Sequence, residues 1–85
     1  MKDSVAIVLS EIDLADLYAV AVLSDATEAR AWLRAQQAPV KELPRRFLPL
    51  FESALEGEIR SGGDIDRGRR AEDLYVRLAQ AAQRR

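Results

Sequence analysis

The sequence predicts a mainly α-helical fold, a single helical domain over 1–85 with three or four helices. One reading of its first residues adds a short N-terminal strand that pairs across a dimer. Three observations carry this expectation. Apolar residues recur at helical spacing over 11–23, 47–61 and 70–83. Ser10, Asp25 and the Gly62-Gly63 pair stand where helix starts and stops belong. Only residues 4–9 carry a β-branched run. The chain shows no internal repeat and no low-complexity tract.

Residues 4–9 are ambiguous. Val5, Ile7 and Val8 favour a strand bracketed by Ser4 and Ser10. Five apolar residues are equally compatible with a buried helical turn. A strand here needs a partner strand, most simply one from a second copy.

Residues 11–23 predict a helix. The Ser10 hydroxyl can accept from the backbone N–H of Asp13 or Ile12. Glu11, Asp13 and Asp16 sit near the positive end of the helix dipole. Leu14, Leu17, Tyr18 and Ala21 form one apolar stripe, and Ile12, Ala15, Ala19, Val22 and Leu23 a second. A helix apolar on two faces is expected to be covered on both.

Asp25 and Glu28 suggest a capping box opening a helix over 26–37, with Ala29, Trp32 and Leu33 on its core face. Pro39, Pro44 and Pro49 then forbid a long continuous helix. They mark either a structural corner or a pre-ordered recognition segment. Pro44 suits a first helical turn, and Pro49 requires a kink or a start near Phe47.

The helix over 47–61 places Phe47, Leu48, Phe51, Leu55 and Ile59 on one face, with Glu52, Glu56 and Glu58 outside. Gly62-Gly63 stops it. Asp64 to Arg70 reads as a loop or frayed turn. The last helix, about 70–83, has Ala71, Leu74, Tyr75, Leu78 and Ala82 as its stripe and Asp73 with Arg77 as an i,i+4 pair. Arg84-Arg85 suits its C-terminal dipole. Trp32 and Phe51 are expected to be buried.

Composition narrows the function. The chain has 85 residues, 48% of them hydrophobic, with no cysteine and no histidine. A domain this small is thinly stable without a partner, a metal or a staple. Disulfides and the usual metal sites are excluded, which leaves self-association or a bound partner. Catalysis is not expected, because the common general base and the common thiol nucleophile are both missing. No cofactor or metal is expected. Asp64-Ile-Asp66-Arg-Gly68 has the look of a calcium loop. Its glycine arrives one place early, however, its twelfth place is Tyr75, and Arg67, Arg69 and Arg70 repel a cation. No apolar run reaches the ~20 residues of a membrane helix, and acidic residues interrupt the N-terminal one before a signal peptide forms. The expectation is a soluble, cytoplasmic protein with no membrane partner.

The net charge of −1 hides an asymmetry. Residues 1–42 carry four basic and seven acidic side chains, a net of −3. Residues 43–85 carry nine arginines and seven acidic side chains, a net of +2. The two halves suit head-to-tail pairing, or the back half suits an acidic partner. Arginine is suited to bidentate carboxylate or phosphate contact. Asp64, Asp66, Glu72 and Asp73 interleave with the arginines and cancel much of the field, so a protein partner fits better than nucleic acid. The candidate contact residues are Arg67, Arg69, Arg70 and Arg77. Arg69, Arg70 and Arg77 are expected to be exposed, because the last stripe runs through Leu74, Tyr75 and Leu78. The expected function is a small non-enzymatic interaction module (a regulator, inhibitor or adaptor) acting as a homodimer.

A resemblance supplies the alternative. Ala54-Leu-Glu-Gly-Glu-Ile-Arg-Ser-Gly62, a polar loop, and a helix containing Glu72-Asp73-Leu74 resemble the C-terminal half of ParD-class ribbon-helix-helix antitoxins. The resemblance implies a ribbon strand at 5–9, a first helix at 11–23 and a second beginning at 24–30. It implies a strand paired across a dimer and read into the DNA major groove, with a tail that wraps a small toxin. Two features depart from the pattern. Ser4, Ala6 and Val8 would point outward, where base contact asks for polar or basic residues. The three prolines also fall where the family has a continuous helix. No DNA-contact residue is carried over.

Overall fold

The structure, a computed structural model, describes residues 3–61 and 65–83. It is mainly α. In chain order it comprises β1 (Ser4–Leu9), α1 (Glu11–Leu23), α2 (Thr27–Arg34), β2 (Val40–Pro44), a 3-10 turn (Arg45–Phe47), α3 (Leu48–Arg60) and α4 (Ile65–Gln83). Gly62-Gly63, Asp64 and Arg84-Arg85 lie outside the described residues.

Residues 4–9 are a strand, and its partner comes from the same chain. β1 pairs antiparallel with β2, with Ser4 opposite Pro44, Val5 opposite Leu43, Ala6 opposite Glu42 and Leu9 opposite Val40. A bulge between Ala6 and Leu9 takes up one extra residue on β1. The proline segment, expected as a corner, supplies this second strand. Its prolines stand beside the strand (Pro39) and at its end (Pro44), where a missing N–H is tolerated. The Arg45 N–H donates to the Asp3 carbonyl at 2.7 Å, continuing the pairing past Pro44. An isolated pair of strands is marginal in water. Here Val5, Ile7, Leu9, Val40 and Leu43 are all buried in the common core.

α1 begins at a capping box. The Ser10 hydroxyl accepts from the Asp13 N–H at 3.2 Å, and the Asp13 carboxylate accepts from the Ser10 N–H at 2.9 Å. It ends in a Schellman motif, with the Ala26 N–H on the Ala21 carbonyl and the Asp25 N–H on that of Val22. Asp25 therefore closes α1, in the left-handed region at φ 53°, and does not cap α2. α2 starts at Thr27 without a side-chain cap. It ends at Arg34, short of the expected 37.

α3 starts after Phe47 with Pro49 in its first turn, where the absent N–H costs no helical bond. α4 begins at Ile65, five residues earlier than the expected 70. Gly68 costs a helix only about 1 kcal/mol relative to alanine. Ion pairs from Arg67 to Glu58 of α3 and from Arg70 to Asp16 of α1 tie down the turns around it. The loop expected over 64–70 is helical from 65 onward.

One core joins every element. Phe51, Leu9, Leu17, Leu43, Leu55, Leu74 and Leu78 are its largest fully enclosed side chains. Trp32, Phe47 and Phe51 form a tilted aromatic chain with centroid spacings of 5.7 and 5.8 Å. Phe51 is buried as expected. Trp32 is only half-buried, because it caps the open end of that chain. Ala81 joins the core of α4, and Tyr75 and Ala82 pack at its margin. Among the described residues no helix is long and apolar enough to cross a membrane.

Candidate interaction surface

α4 displays the candidate arginines, and the fold treats each differently. Arg69 is exposed, beside Glu72, Asp73 and Val76 in a shallow depression. Arg70 is exposed too, but its Nε donates to Asp16 Oδ2 at 2.9 Å. Arg67 pairs with Glu58 at 3.2 Å. Arg77 departs from expectation. Its side chain is only 33% exposed, and it is fixed on three elements at once. Its guanidinium forks onto Asp13 of α1 at 2.8 and 3.0 Å, reaches Asp73 at 2.9 Å, and donates to the Val8 carbonyl of β1 at 3.3 Å. A planar fork meeting a carboxylate along two parallel bonds is what arginine does better than lysine. Arg77 is therefore a clasp for the fold rather than a free contact.

The clasp also sets a charge state. The hydrogen bonds from Arg77, opposed by burial and helped by the Ser10 N–H, hold the Asp13 carboxyl below the usual aspartate range. The same pair raises the Arg77 guanidinium above its ordinary value.

These bonds explain the charge asymmetry between the halves. Asp13 and Asp16 belong to the acidic front, and Arg77 and Arg70 to the arginine-rich back. They meet inside one chain. The residues from α1 were not among the candidates. Their signal was present in the spacing: Asp13 and Asp16 share one flank of the helix, three residues apart.

The second feature of the surface is the outer face of α1. Leu17, Val20 and Ala21 are buried. Asp13 and Asp16 turn to α4, and Tyr18 turns to α2, where its hydroxyl accepts from Arg34 Nε at 3.0 Å. The stripe of Ile12, Ala15, Ala19, Val22 and Leu23 lies between these flanks, with Ala19 half-buried and the other four exposed. Ile12 is 63% exposed, Val22 43% and Leu23 70%. The expectation that both faces of α1 are covered holds for only one of them within the chain.

Trp32 lies elsewhere. It shares an open depression with Pro39, Pro44, Gln36 and Glu42, which no α4 arginine lines. The structure therefore does not bring the tryptophan, the prolines and the arginines into one site. Among the described residues no group of three acidic or other ligating side chains is placed to hold a metal ion. Comparison with family models, with curated proteins and with solved structures finds no match for this chain.

Proposed function

We propose that the protein is a small, cytoplasmic, non-enzymatic protein–protein interaction module of the regulator, inhibitor or adaptor kind. One observation carries the reading: the outer face of α1 is apolar and uncovered, Arg70 of α4 reaches its flank at Asp16, and Arg69 is exposed one residue away on α4. An apolar centre with a charged, arginine-containing rim is the anatomy of a protein interface. Neighbouring carboxylates such as Asp16, Glu72 and Asp73 keep the field local, which suits a protein's mixed charges better than a phosphate backbone. Arg67 and Arg77 support this surface through Glu58 and Asp13.

The test is affinity capture with the parent chain and with Arg69→Glu, followed by association rates measured across salt concentrations. Rim charges govern association rate and its salt dependence. The reading expects a protein bound by the parent and bound more slowly by the variant. Equal rates would remove the arginine rim from the interface. The antitoxin alternative makes a different demand: a sequence-selective mobility shift with DNA, steep in salt. In that reading β1 is the ribbon. Here it pairs with β2 of its own chain and turns Ala6 and Val8 outward.

A further inference from the structure

We infer that the uncovered face of α1 is filled by a second copy of this chain, with the two α1 helices packed antiparallel about a two-fold axis that passes between Ala15 and Ala19. The inference deepens the proposed reading, since it names the first occupant of the same apolar face.

The stripe is self-complementary in that direction. Its residues, Ile12, Ala15, Ala19 and Val22, alternate at intervals of three, four and three, the repeat that keeps one helix face against another. Read backwards, the pattern is the same: large, small, small, large. An antiparallel pair centred at residue 17 sets Ile12 against Val22 of the partner subunit and Ala15 against the partner's Ala19. The alanines let the backbones approach, and the larger side chains close the two ends. Leu23 lies over the first turn of the facing helix. A parallel pair would align the helix dipoles unfavourably.

The flanks agree with the stripe. A two-fold axis across the helices brings like flanks together. The Asp16–Arg70 pair, beside residue 17, then faces the same pair of the partner, and four charges alternate in sign around the axis. Asp16 is 19% exposed and Arg70 48%, so both reach that edge. On the opposite flank each Arg34 is held over the Tyr18 ring of its own chain and donates to its hydroxyl.

The area is adequate and modest. A specific interface needs about 1,000 Å² in total, about 500 Å² from each copy. Ile12, Val22 and Leu23, with two alanines and the stems of Arg34 and Arg70 at the edges, supply an area of that order. An interface of that size stands at the low end for specific association.

Sedimentation equilibrium on the purified full chain tests this without any partner. The parent is expected to be dimeric at tens of micromolar. Ala15→Glu, at an exposed position, is expected to be monomeric with unchanged helical circular dichroism. The natural absence of cysteine permits a second measurement. A disulfide needs Cα atoms about 4.4–6.8 Å apart. A mixture of Ala15→Cys and Ala19→Cys chains should therefore oxidise mainly to the mixed 15–19 dimer. A folded, monomeric parent overturns the proposal, as does a dimer that survives Ala15→Glu. Each single-cysteine chain cross-linking to itself as readily as the mixture overturns the antiparallel arrangement. These readouts use one protein only, so their failure leaves the partner-binding reading standing. Unchanged capture by Arg69→Glu would leave the dimer standing.

Discussion

α1 and α3 are both thirteen residues long, and both pack against the same core. α3 is completed by the fold. Leu48, Phe51 and Leu55 are buried, the side away from them carries Glu52 and Glu56, and Glu58, expected outside, is tucked against α4 on Arg67. α1 buries Leu17, Val20 and Ala21, yet its opposite side is as apolar as its inner one. The difference shows what burial alone cannot. A helix with one apolar face is accounted for by its own chain, whereas a helix with two leaves one unexplained. Exposed single hydrophobics are ordinary. A row of them at the repeat of a helix interface is not.

The largest effect should come from the completed side. Phe51→Ala removes a fully enclosed ring and should cost about 3–5 kcal/mol in urea unfolding. Trp32→Ala, at the half-open end of the same aromatic chain, should cost markedly less. Equal losses would mean that α2 closes over Trp32 as tightly as α3 closes over Phe51.

The flank of α1 comes next. Asp13→Asn breaks a partly exposed ion pair, so the loss at pH 7 should be about 1–2 kcal/mol, below that of a fully buried pair. The sign of its pH dependence follows from the depressed carboxyl. A group whose folded value lies below its unfolded one stabilises fully above about pH 4 and loses that contribution as pH falls through the folded value. The gap between parent and variant should therefore narrow in acid. A gap that is constant from pH 7 down to about pH 2 would mean that the charge on Asp13 contributes nothing to folding.

Smaller changes probe α4. An alanine Cβ at Gly68 meets nothing within 4 Å. Gly68→Ala should therefore raise stability by about 0.5–1 kcal/mol, through the lost freedom of the unfolded chain. A destabilised variant would argue against a helix through 65–70. Smallest of all, Arg69→Glu should shift stability by less than about 0.5 kcal/mol, since it touches no packed group.

Much of this was legible beforehand, for stated reasons. The Ser10 cap, the span of α1 and the faces of α3 and α4 follow from spacing and local hydrogen bonding, which act within a few residues. The strand pair was not legible. β1 and β2 lie more than thirty residues apart, and three prolines look like a corner until a strand is found to need them. The start of α4 was hidden by Gly68, because the ion pairs that hold its first turns reach to α1 and α3. Arg77 was assigned to the surface because its own helix says nothing of Asp13, sixty-four residues earlier. Asp25 was assigned to the helix it precedes, whereas its backbone closes the one before. At the candidate surface, both stripes of α1 could be read from the sequence. Which of them the chain leaves open could not.

The central claim is that a second copy covers the face of α1 that its own chain leaves open. Association that favours the folded state makes stability depend on concentration. Thermal unfolding of the parent, followed by circular dichroism from low to high micromolar protein, is the direct measurement. The melting temperature should rise by about 3–5 °C for each tenfold increase in concentration, given the unfolding entropy of a domain this size. Ala15→Glu should melt at one temperature throughout. A parent whose melting temperature is the same at every concentration would contradict the account.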